Sequence, residues 1–275
     1  MEGVFVQALG TLVLLGISAA SFRFHATDAW GSVSGFFLGL LIGLTSGWAW
    51  VAVLLSFLVM GSAATRYRYQ YKLSIHAAEE KRGARGFKNV IANGAVAGFI
   101  AVLNYFWPAT LFPRLLPSFA LAVIFVAAIS SAAADTLATE IGLLSSAKPV
   151  LITKPSSTTP PGMSGGVTIL GELAALLGAS AMAVVAAALG VLPVVPVSLF
   201  SAAAAGFIGC NVDSLLGGTI QTLYVCNVCN AFTEKKVHCG QPARKMKGIS
   251  NVGNNEVNLL SDAVAAIVAA VFLIV

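Results

Sequence analysis

Eight long apolar stretches, separated by short polar segments, constrain the fold of this chain more than any other feature. They cover approximately residues 4–20, 31–45, 48–64, 90–107, 118–137, 166–190, 194–217 and 256–275. A membrane-spanning helix needs about 20 mostly apolar residues, and only 10% of the chain is charged, against roughly 25% in soluble domains. The sequence therefore predicts an all-α, polytopic integral membrane helical bundle of about eight spans, with residues 1–275 in a single transmembrane domain.

The distribution of Lys and Arg predicts how these spans are oriented. If the N-terminus is outside and eight spans alternate, every Lys and Arg residue except Arg114 falls on the inner side. Because basic residues are enriched in cytoplasmic loops, we expect a cell-membrane protein whose polar motifs all face the cytoplasm. The basic residues that give the net charge of +5 orient the chain and can bind anionic lipid or phosphate. The charge therefore does not imply a nucleic-acid partner.

Acidic residues at the inner ends of two spans indicate a site, because carboxylates are expensive to place in a membrane. Asp135 and Glu140 close the fifth span, and Asp213 closes the seventh in an Asp-Ser-Leu triplet that echoes Asp135-Thr136-Leu137. On an ideal helix Asp135 and Glu140 are about 140° apart. They can bind one metal ion only if the helix unwinds between them; otherwise they serve different ligands. We predict that Asp135, Glu140 and Asp213 are the catalytic and Mg²⁺-binding residues.

A glycine-rich turn and a basic loop beside these acids predict phosphate binding. Residues 161–166 open the sixth span, where backbone N–H groups and the helix dipole suit an anion. Two simpler interpretations remain open, namely an interfacial basic belt for the loop and helix caps for the Asn residues. The predicted substrate- or nucleotide-binding residues are Arg82, Arg85, Lys88, Asn89, Asn93, Lys154, Gly162, Ser164, Gly165, Gly166, Asn254, Asn255 and Asn258.

A cytoplasmic Cys- and Lys-rich insertion, residues 226–250, lies between the last two spans. Cys226 and Cys229 have zinc-knuckle spacing. His238 and Cys239 are adjacent, and adjacent residues ligate one ion poorly. The four residues therefore form either a possible structural Zn²⁺ site or a group without metal, with free thiols in a reducing compartment. A cytoplasmic location disfavours a disulfide.

Several motifs taken together resemble the membrane family that includes the plant phytyl-phosphate kinase of the vitamin E pathway. They are AADTLATEIG, KPVLITK, PPGMSGGVTILGE, NVDSLLGGTIQ and NNEVNLLSD, with GARGFKNVIANG in the basic loop. The insertion CNVCNAFTEKKVHC is absent from the plant enzyme and resembles the archaeal branch of the family. The resemblance implies an all-helical membrane enzyme that transfers the γ-phosphoryl group of CTP to an isoprenoid monophosphate, giving the diphosphate.

The residues themselves suit phosphoryl transfer, which needs charge neutralisation and alignment more than covalent catalysis. We expect Mg²⁺ on the acidic residues, cations around the phosphates and the isoprenoid tail among membrane lipid or between spans. The chain lacks a Walker-type Gly-Lys-Ser/Thr motif, which argues against an ordinary soluble ATP site. Two alternatives remain open. One is a secondary transporter or flippase of a phosphorylated solute or lipid, and the other is a CTP-dependent lipid cytidylyltransferase.

Overall fold

Long helices account for most of the computed structural model, which describes residues 2–75, 77–79, 83–106, 119–229, 232–233 and 236–274. The helices are α1 (Glu2–Arg23), α2 (Ala29–Ser46), α3 (Trp48–Arg66), α4 (Tyr69–Ser74), α5 (Phe87–Phe106), α6 (Ala120–Gly142), α7 (Ile169–Ala188), α8 (Pro196–Thr219) and α9 (Asn254–Ile274). Within the described ranges, eight of them, all except α4, are long and apolar enough to cross a membrane. The predicted polytopic helical membrane protein is therefore confirmed, while its orientation stays a prediction.

Short antiparallel strands occur in two of the loops that the sequence analysis left without structure. Between α6 and α7, β1 (Val150–Leu151), β2 (Lys154–Thr158) and β3 (Gly166–Val167) form a sheet in the order β2–β1–β3. Between α8 and α9, β4 (Leu223–Val225), β5 (Phe232–Thr233) and β8 (Arg244–Lys247) form a sheet in the order β5–β4–β8, and β6 (Val237–His238) pairs with β7 (Gln241–Pro242). Such pairing satisfies backbone N–H and C=O groups that a compact loop would otherwise bury.

Helix α6 lies at the centre of the bundle. Its residues from Ala122 to Ala134 are all buried, and the helix contacts α3, α5, α7, α8 and α9. Small side chains allow this close approach, as is common between membrane helices. A Cβ atom on Gly206 of α8 would lie 2.4 Å from Cβ of Ser130, and one on Gly209 would lie 2.5 Å from Oγ of Ser131. The polar C-terminal part of α6 is thereby held among the ends of its neighbours.

Polar caps mark the helix ends that surround this part of α6. The side chain of Asp28 caps α2 by accepting a hydrogen bond from the Gly31 N–H at 2.9 Å, and Thr168 caps α7 by accepting from the Gly171 N–H at 3.0 Å. Because successive spans of a bundle alternate in direction, the loops before α2, α5, α7 and α9 lie at the same end as the C-terminus of α6. The polar motifs singled out in the sequence, as far as the structure describes them, therefore lie at one end of the molecule.

Candidate active site

A polar cavity of about 620 Å³ opens among these helix ends. Its wall is formed by α5, α6, α7, α8 and α9, by the end of α3, by the loops that precede α2, α5 and α7, and by part of the loop between α8 and α9. The predicted site residues in this wall are Arg85, Asn89, Asn93, Asp135, Glu140, Gly162, Ser164, Gly165, Gly166, Asp213, Asn254, Asn255 and Asn258. The structure thus brings together side chains that lie as far apart in the chain as Arg85 and Asn258.

Two of the predicted basic residues do not reach the cavity. Lys88 and Lys154 are exposed and are absent from its wall. Lys88 occupies the first turn of α5, where its neighbour Asn89 faces the cavity instead, and Lys154 opens strand β2, none of whose residues lines the cavity. Arg82 lies outside the described residues. Within the described part of the wall, Arg85 is therefore the single Lys or Arg side chain.

Asp213 belongs to a polar cluster that joins α5, α8 and α9. Its Oδ2 accepts a hydrogen bond from the Ser261 hydroxyl at 3.0 Å. The side-chain amide of Asn258 lies between Asn93 and Asp213, 3.2 Å from Oδ1 of the former and 3.3 Å from Oδ2 of the latter. Hydrogen bonding assigns the amide nitrogen to the side that faces Asp213 and the Asn254 carbonyl. These contacts hold the Asp213 carboxylate, which is only 7% exposed, against the cavity wall.

Asp135 and Glu140 lie in different surroundings, because α6 continues through both residues without unwinding and their side chains point in different directions. Oε2 of Glu140 lies 2.6 Å from Nζ of Lys72, and both side chains are nearly inaccessible to solvent, at 4% and 0% exposure. Lys72 Nζ also donates to the carbonyl oxygens of Ala64 at 2.7 Å and Thr65 at 3.3 Å, at the end of α3. The carboxylate of Glu140 therefore has an internal cation, whereas Asp135 faces the cavity one and a half turns earlier.

Arg85 carries a buried guanidinium nitrogen that the described residues leave without a hydrogen-bond partner. Its backbone carbonyl accepts from the Asp28 N–H at 3.0 Å, and its guanidinium lies over the Phe57 ring, 4.6 Å from the centroid. Nη1 is buried and has no hydrogen-bond partner among the described residues. Burial lowers the pKa of Arg85 to about 10, with Glu79 and Glu140 opposing the shift, so the group stays charged at neutral pH. A buried, charged and unpartnered donor is expensive and suits an anion.

The glycine-rich turn forms the opposite wall of the cavity. Gly165 has a φ of 83° and contacts α8 so closely that a Cβ atom would lie 2.4 Å from Cα of Gly218. Its carbonyl accepts from the Ile152 N–H at 2.9 Å, which fastens the turn to the β1–β2 loop. The turn leads directly into α7, whose positive N-terminal end points toward the cavity and favours negative charge there.

The charge of the wall fits a metal-bound anion better than an anion alone. Its described part carries six carboxylates against one guanidinium group. These acids are Asp28, Glu79, Asp135, Glu140, Glu172 and Asp213. Lys72 neutralises Glu140, and Glu172 accepts a hydrogen bond from the Asn211 amide at 3.2 Å. Carboxylate, amide and hydroxyl oxygens are the ligands that Mg²⁺ prefers, so the donor set fits the predicted ion, with Asp135 and Asp213 as the central candidates.

The two central carboxylates of the cavity lie well inside the ends of their helices. Asp135 lies seven residues before the end of α6, and Asp213 lies six residues before the end of α8. At 1.5 Å per residue, these positions are about 9–11 Å from the helix ends. The midplane of a bilayer is about 15 Å from either edge of its hydrocarbon core. With the helix ends at the edge of that core, both carboxylates lie about 4–6 Å short of the midplane.

Sequence reasoning missed four residues that the structure places in or beside this site. Lys72 was counted only as a loop cation, and nothing in its local sequence indicates a buried ion pair. Asp28 and Glu79 were not singled out, since each follows or precedes a span in an ordinary polar loop. Ser261 could have been found, because Asn254, Asn258 and Ser261 repeat at helical spacing and so share one face of α9.

The comparisons with known proteins agree with the helical membrane fold. The profile of the family described as integral membrane protein DUF92 matches residues 12–266. Protein PGR of Arabidopsis thaliana is 29% identical to the chain, over 89% of this chain and 88% of that protein. An uncharacterized membrane protein of Synechocystis is 30% identical, over 77% of this chain and 81% of that protein.

A further plant protein matches a smaller part of the chain. The protein named VTE6, chloroplastic, of Arabidopsis thaliana is 27% identical, over 69% of this chain and 60% of that protein. No solved structure matches the chain. Since the family profile covers nearly the whole sequence, the chain belongs to the integral membrane protein family DUF92, and the family resemblance of its motifs is confirmed.

Proposed function

We propose that the protein is a CTP-dependent kinase that phosphorylates an isoprenoid monophosphate, of the phytyl or geranylgeranyl type, at the cytoplasmic face of the membrane. One observation carries this proposal: a single polar cavity combines Asp135 and Asp213 with the buried guanidinium of Arg85 and the glycine-rich turn. The motifs' resemblance to the phytyl-phosphate kinase family supplies the reaction class. A phosphate oxygen of the acceptor attacks the γ-phosphorus, the bond to the β-phosphate oxygen breaks, and the products are the diphosphate and CDP.

Each part of the wall has a role in such a transfer. Asp135 and Asp213 would hold Mg²⁺, which when bound supplies charge neutralisation to the nucleotide phosphates. Arg85, which lines the cavity, would supply a positive charge beside a phosphate oxygen. The turn around Gly165 would approach a second phosphate through its backbone. Because the acceptor is already a phosphate monoester, its oxygen is ionised at neutral pH and the reaction requires no strong general base.

A second cavity gives the isoprenoid tail a place beside the phosphates. It is apolar, has a volume of about 70 Å³ and lies between α1, α2, α3 and α5. Arg85, Asn89 and Asn93 belong to the walls of both cavities. Leu14, Leu38 and Leu55 are among the apolar residues that line the second one. We infer that the acceptor binds with its phosphate at Arg85 and its first isoprene units in this cavity, while the rest of the tail continues into lipid.

Product analysis is the direct test of the activity. Purified protein with Mg²⁺, CTP and geranylgeranyl phosphate should yield geranylgeranyl diphosphate and CDP in equal amounts, measured by mass spectrometry. Release of pyrophosphate with a cytidylylated lipid would instead show a cytidylyltransferase. Protein that forms neither product, but moves a phosphorylated solute or lipid across proteoliposomes, would be a transporter.

Filling the apolar cavity should weaken binding of the acceptor without affecting the nucleotide. Gly35 lines this cavity, and a Cβ atom there would meet its nearest neighbour, Cγ1 of Val90, only at 4.0 Å. We expect Gly35→Leu to raise KM for geranylgeranyl phosphate by roughly tenfold or more, since each buried CH₂ of the displaced tail contributes about 0.8 kcal/mol. KM for CTP should stay unchanged.

Gly16→Leu is the matched control for this substitution. Gly16 lies in α1 and is exposed, and a Cβ atom added there would have no heavy atom within 4 Å. Both variants replace Gly by Leu inside a helix, so they share the same gain in helix propensity and differ only in what the new side chain meets. Equal KM values for the acceptor in the two variants would contradict the proposed location of the tail.

A further inference from the structure

We propose that Cys226, Cys229, His238 and Cys239 bind one Zn²⁺ ion that fastens the β6–β7 hairpin to the end of strand β4. Their ligand atoms all lie within 4.8 Å of one another. Sγ of Cys229 lies 3.8 Å from Sγ of Cys239 and 3.5 Å from Nδ1 of His238, and the same nitrogen lies 3.3 Å from Sγ of Cys239. None of the four residues lines the polar cavity, so this inference does not depend on the proposed kinase activity.

These separations match the edges of a tetrahedral zinc site. Zinc binds sulfur at about 2.3 Å and imidazole nitrogen at about 2.0–2.1 Å. In a tetrahedron these bond lengths place two sulfur atoms about 3.8 Å apart, and a sulfur and a nitrogen about 3.6 Å apart. Three of the ligands therefore already have the required spacing. Cys226 completes the site with a shift of at most about 1 Å, since no pair exceeds 4.8 Å.

The backbone explains how two adjacent residues can bind the same ion. Cys239 and Gly240 form the two-residue turn between β6 and β7, with φ values of 51° and 72°. Such a turn favours Asn and Gly at positive φ, and a cysteine there is strained. Adjacent side chains of an extended strand point to opposite faces. The left-handed conformation of Cys239 ends this alternation and brings its sulfur beside the His238 ring. Metal binding by Cys239 accounts for the unfavourable conformation.

The first ligand pair has the contacts of a zinc knuckle. The Val228 N–H donates to Sγ of Cys226 at 3.4 Å, and this sulfur belongs to a residue that is only 1% exposed. Hydrogen bonds of this kind orient metal ligands. The side chain of Asn227 donates to the Pro242 carbonyl at 2.9 Å and so holds the knuckle against β7. Protein contacts thus bring both ligand pairs together.

The chemistry of the ligands selects the metal. Cys226, Cys229 and Cys239 are free cysteines, and a sulfur separation of 3.8 Å is far from the 2.05 Å of a disulfide. Three thiolates and one imidazole are soft ligands that favour zinc over magnesium. Four protein ligands close the coordination sphere and leave no position for substrate, so the site is structural.

The ion would stabilise the described strands between α8 and α9. Strand β4, which ends one residue before Cys226, pairs with β8, whose last residue is Lys247. Nζ of Lys247 donates to the carbonyls of Gly217 and Gly218 at 2.9 Å and 3.0 Å, at the C-terminal end of α8. Loss of the metal should therefore loosen β4 and β8 first, and with them the contact to the end of α8.

Metal analysis of the full-length protein tests this inference. We expect about one zinc ion per chain in protein purified in detergent without a polyhistidine tag, measured by inductively coupled plasma mass spectrometry. Cys229→Ser and Cys239→Ser should lower the zinc content to background. The matched control is Cys210→Ala, which removes a buried cysteine packed against Ala134 and Ala175 in the helical bundle. This variant should keep its zinc.

A second measurement keeps the inference testable if the Ser variants fail to fold. Modification of the wild-type thiols by a mercurial should release zinc to a colorimetric chelator and raise hydrogen exchange in residues 222–249. Protein grown with Co²⁺ should show the visible absorption of a tetrahedral cobalt–thiolate site. Zinc-free wild-type protein from zinc-supplemented cells, or a disulfide between any two of these cysteines, would overturn the inference. Equal zinc contents in Cys229→Ser and Cys210→Ala would do the same.

Discussion

Replacing Asp135 by Asn is expected to lower the turnover number by roughly 100- to 1,000-fold, as the removal of one preorganised electrostatic group typically does. The substitution keeps the size of the side chain and removes its charge. Asp135 lines the polar cavity and, unlike Glu140, has no cation beside it in the described wall. The loss should come with a higher Mg²⁺ requirement, because one carboxylate ligand of the ion is gone. Initial rates across a magnesium titration measure both effects.

Asp213→Asn should behave in the same way, because its carboxylate faces the same cavity and is oriented by Ser261 at 3.0 Å. Glu256→Gln is the matched control. Glu256 is exposed in the first turn of α9, and its Oε2 accepts from the Gly253 N–H at 2.8 Å. The Glu256→Gln substitution removes the charge of an acid at the same end of the bundle but outside the cavity wall. If Asp135→Asn and Glu256→Gln retain equal activity, the cavity is not the catalytic site.

Lys72→Met is expected to destabilise the protein by about 3–5 kcal/mol, which is the usual cost of leaving one partner of a buried ion pair without the other. Lys72 and Glu140 are almost completely buried and 2.6 Å apart. The ammonium group also binds two carbonyls at the end of α3, so its loss leaves several buried acceptors unsatisfied. Unfolding in mixed micelles with increasing denaturing detergent measures the change.

The double variant Lys72→Met/Glu140→Leu separates a structural role of Glu140 from a catalytic one. Removing both charges should recover much of the stability lost in Lys72→Met, because no uncompensated charge then remains in the interior. We expect the double variant to keep measurable phosphoryl transfer, since Glu140 already has its cation in Lys72. A stable double variant without activity would instead support the metal-binding role that the sequence analysis predicted for Glu140.

The sequence alone was sufficient for the spanning helices and for several of the residues that line the cavity. In lipid only helices and closed barrels satisfy the backbone, so hydropathy determines the spans almost by itself. The seventh apolar stretch, predicted as 194–217, corresponds to α8 at Pro196–Thr219. The Asp-Thr-Leu and Asp-Ser-Leu triplets are a second example, because both Asp135 and Asp213 line one cavity. Polar residues are costly to place in a membrane-spanning helix and are therefore rare there. Where they occur in an apolar stretch, the sequence alone indicates a functional site.

Only the tertiary structure decided which of these residues meet. Arg85 reaches the cavity while Lys88, three residues later, does not, because the loop before α5 bonds to the α2 cap and α5 then turns Lys88 outward. Lys72 meets Glu140 across 68 residues of sequence, and Cys239 turns toward His238 through a left-handed backbone. Hydropathy is a property of each single residue, so it can be calculated from the sequence directly. Ion pairing and ligand geometry depend on helix rotation and loop conformation, which the packing of distant segments sets.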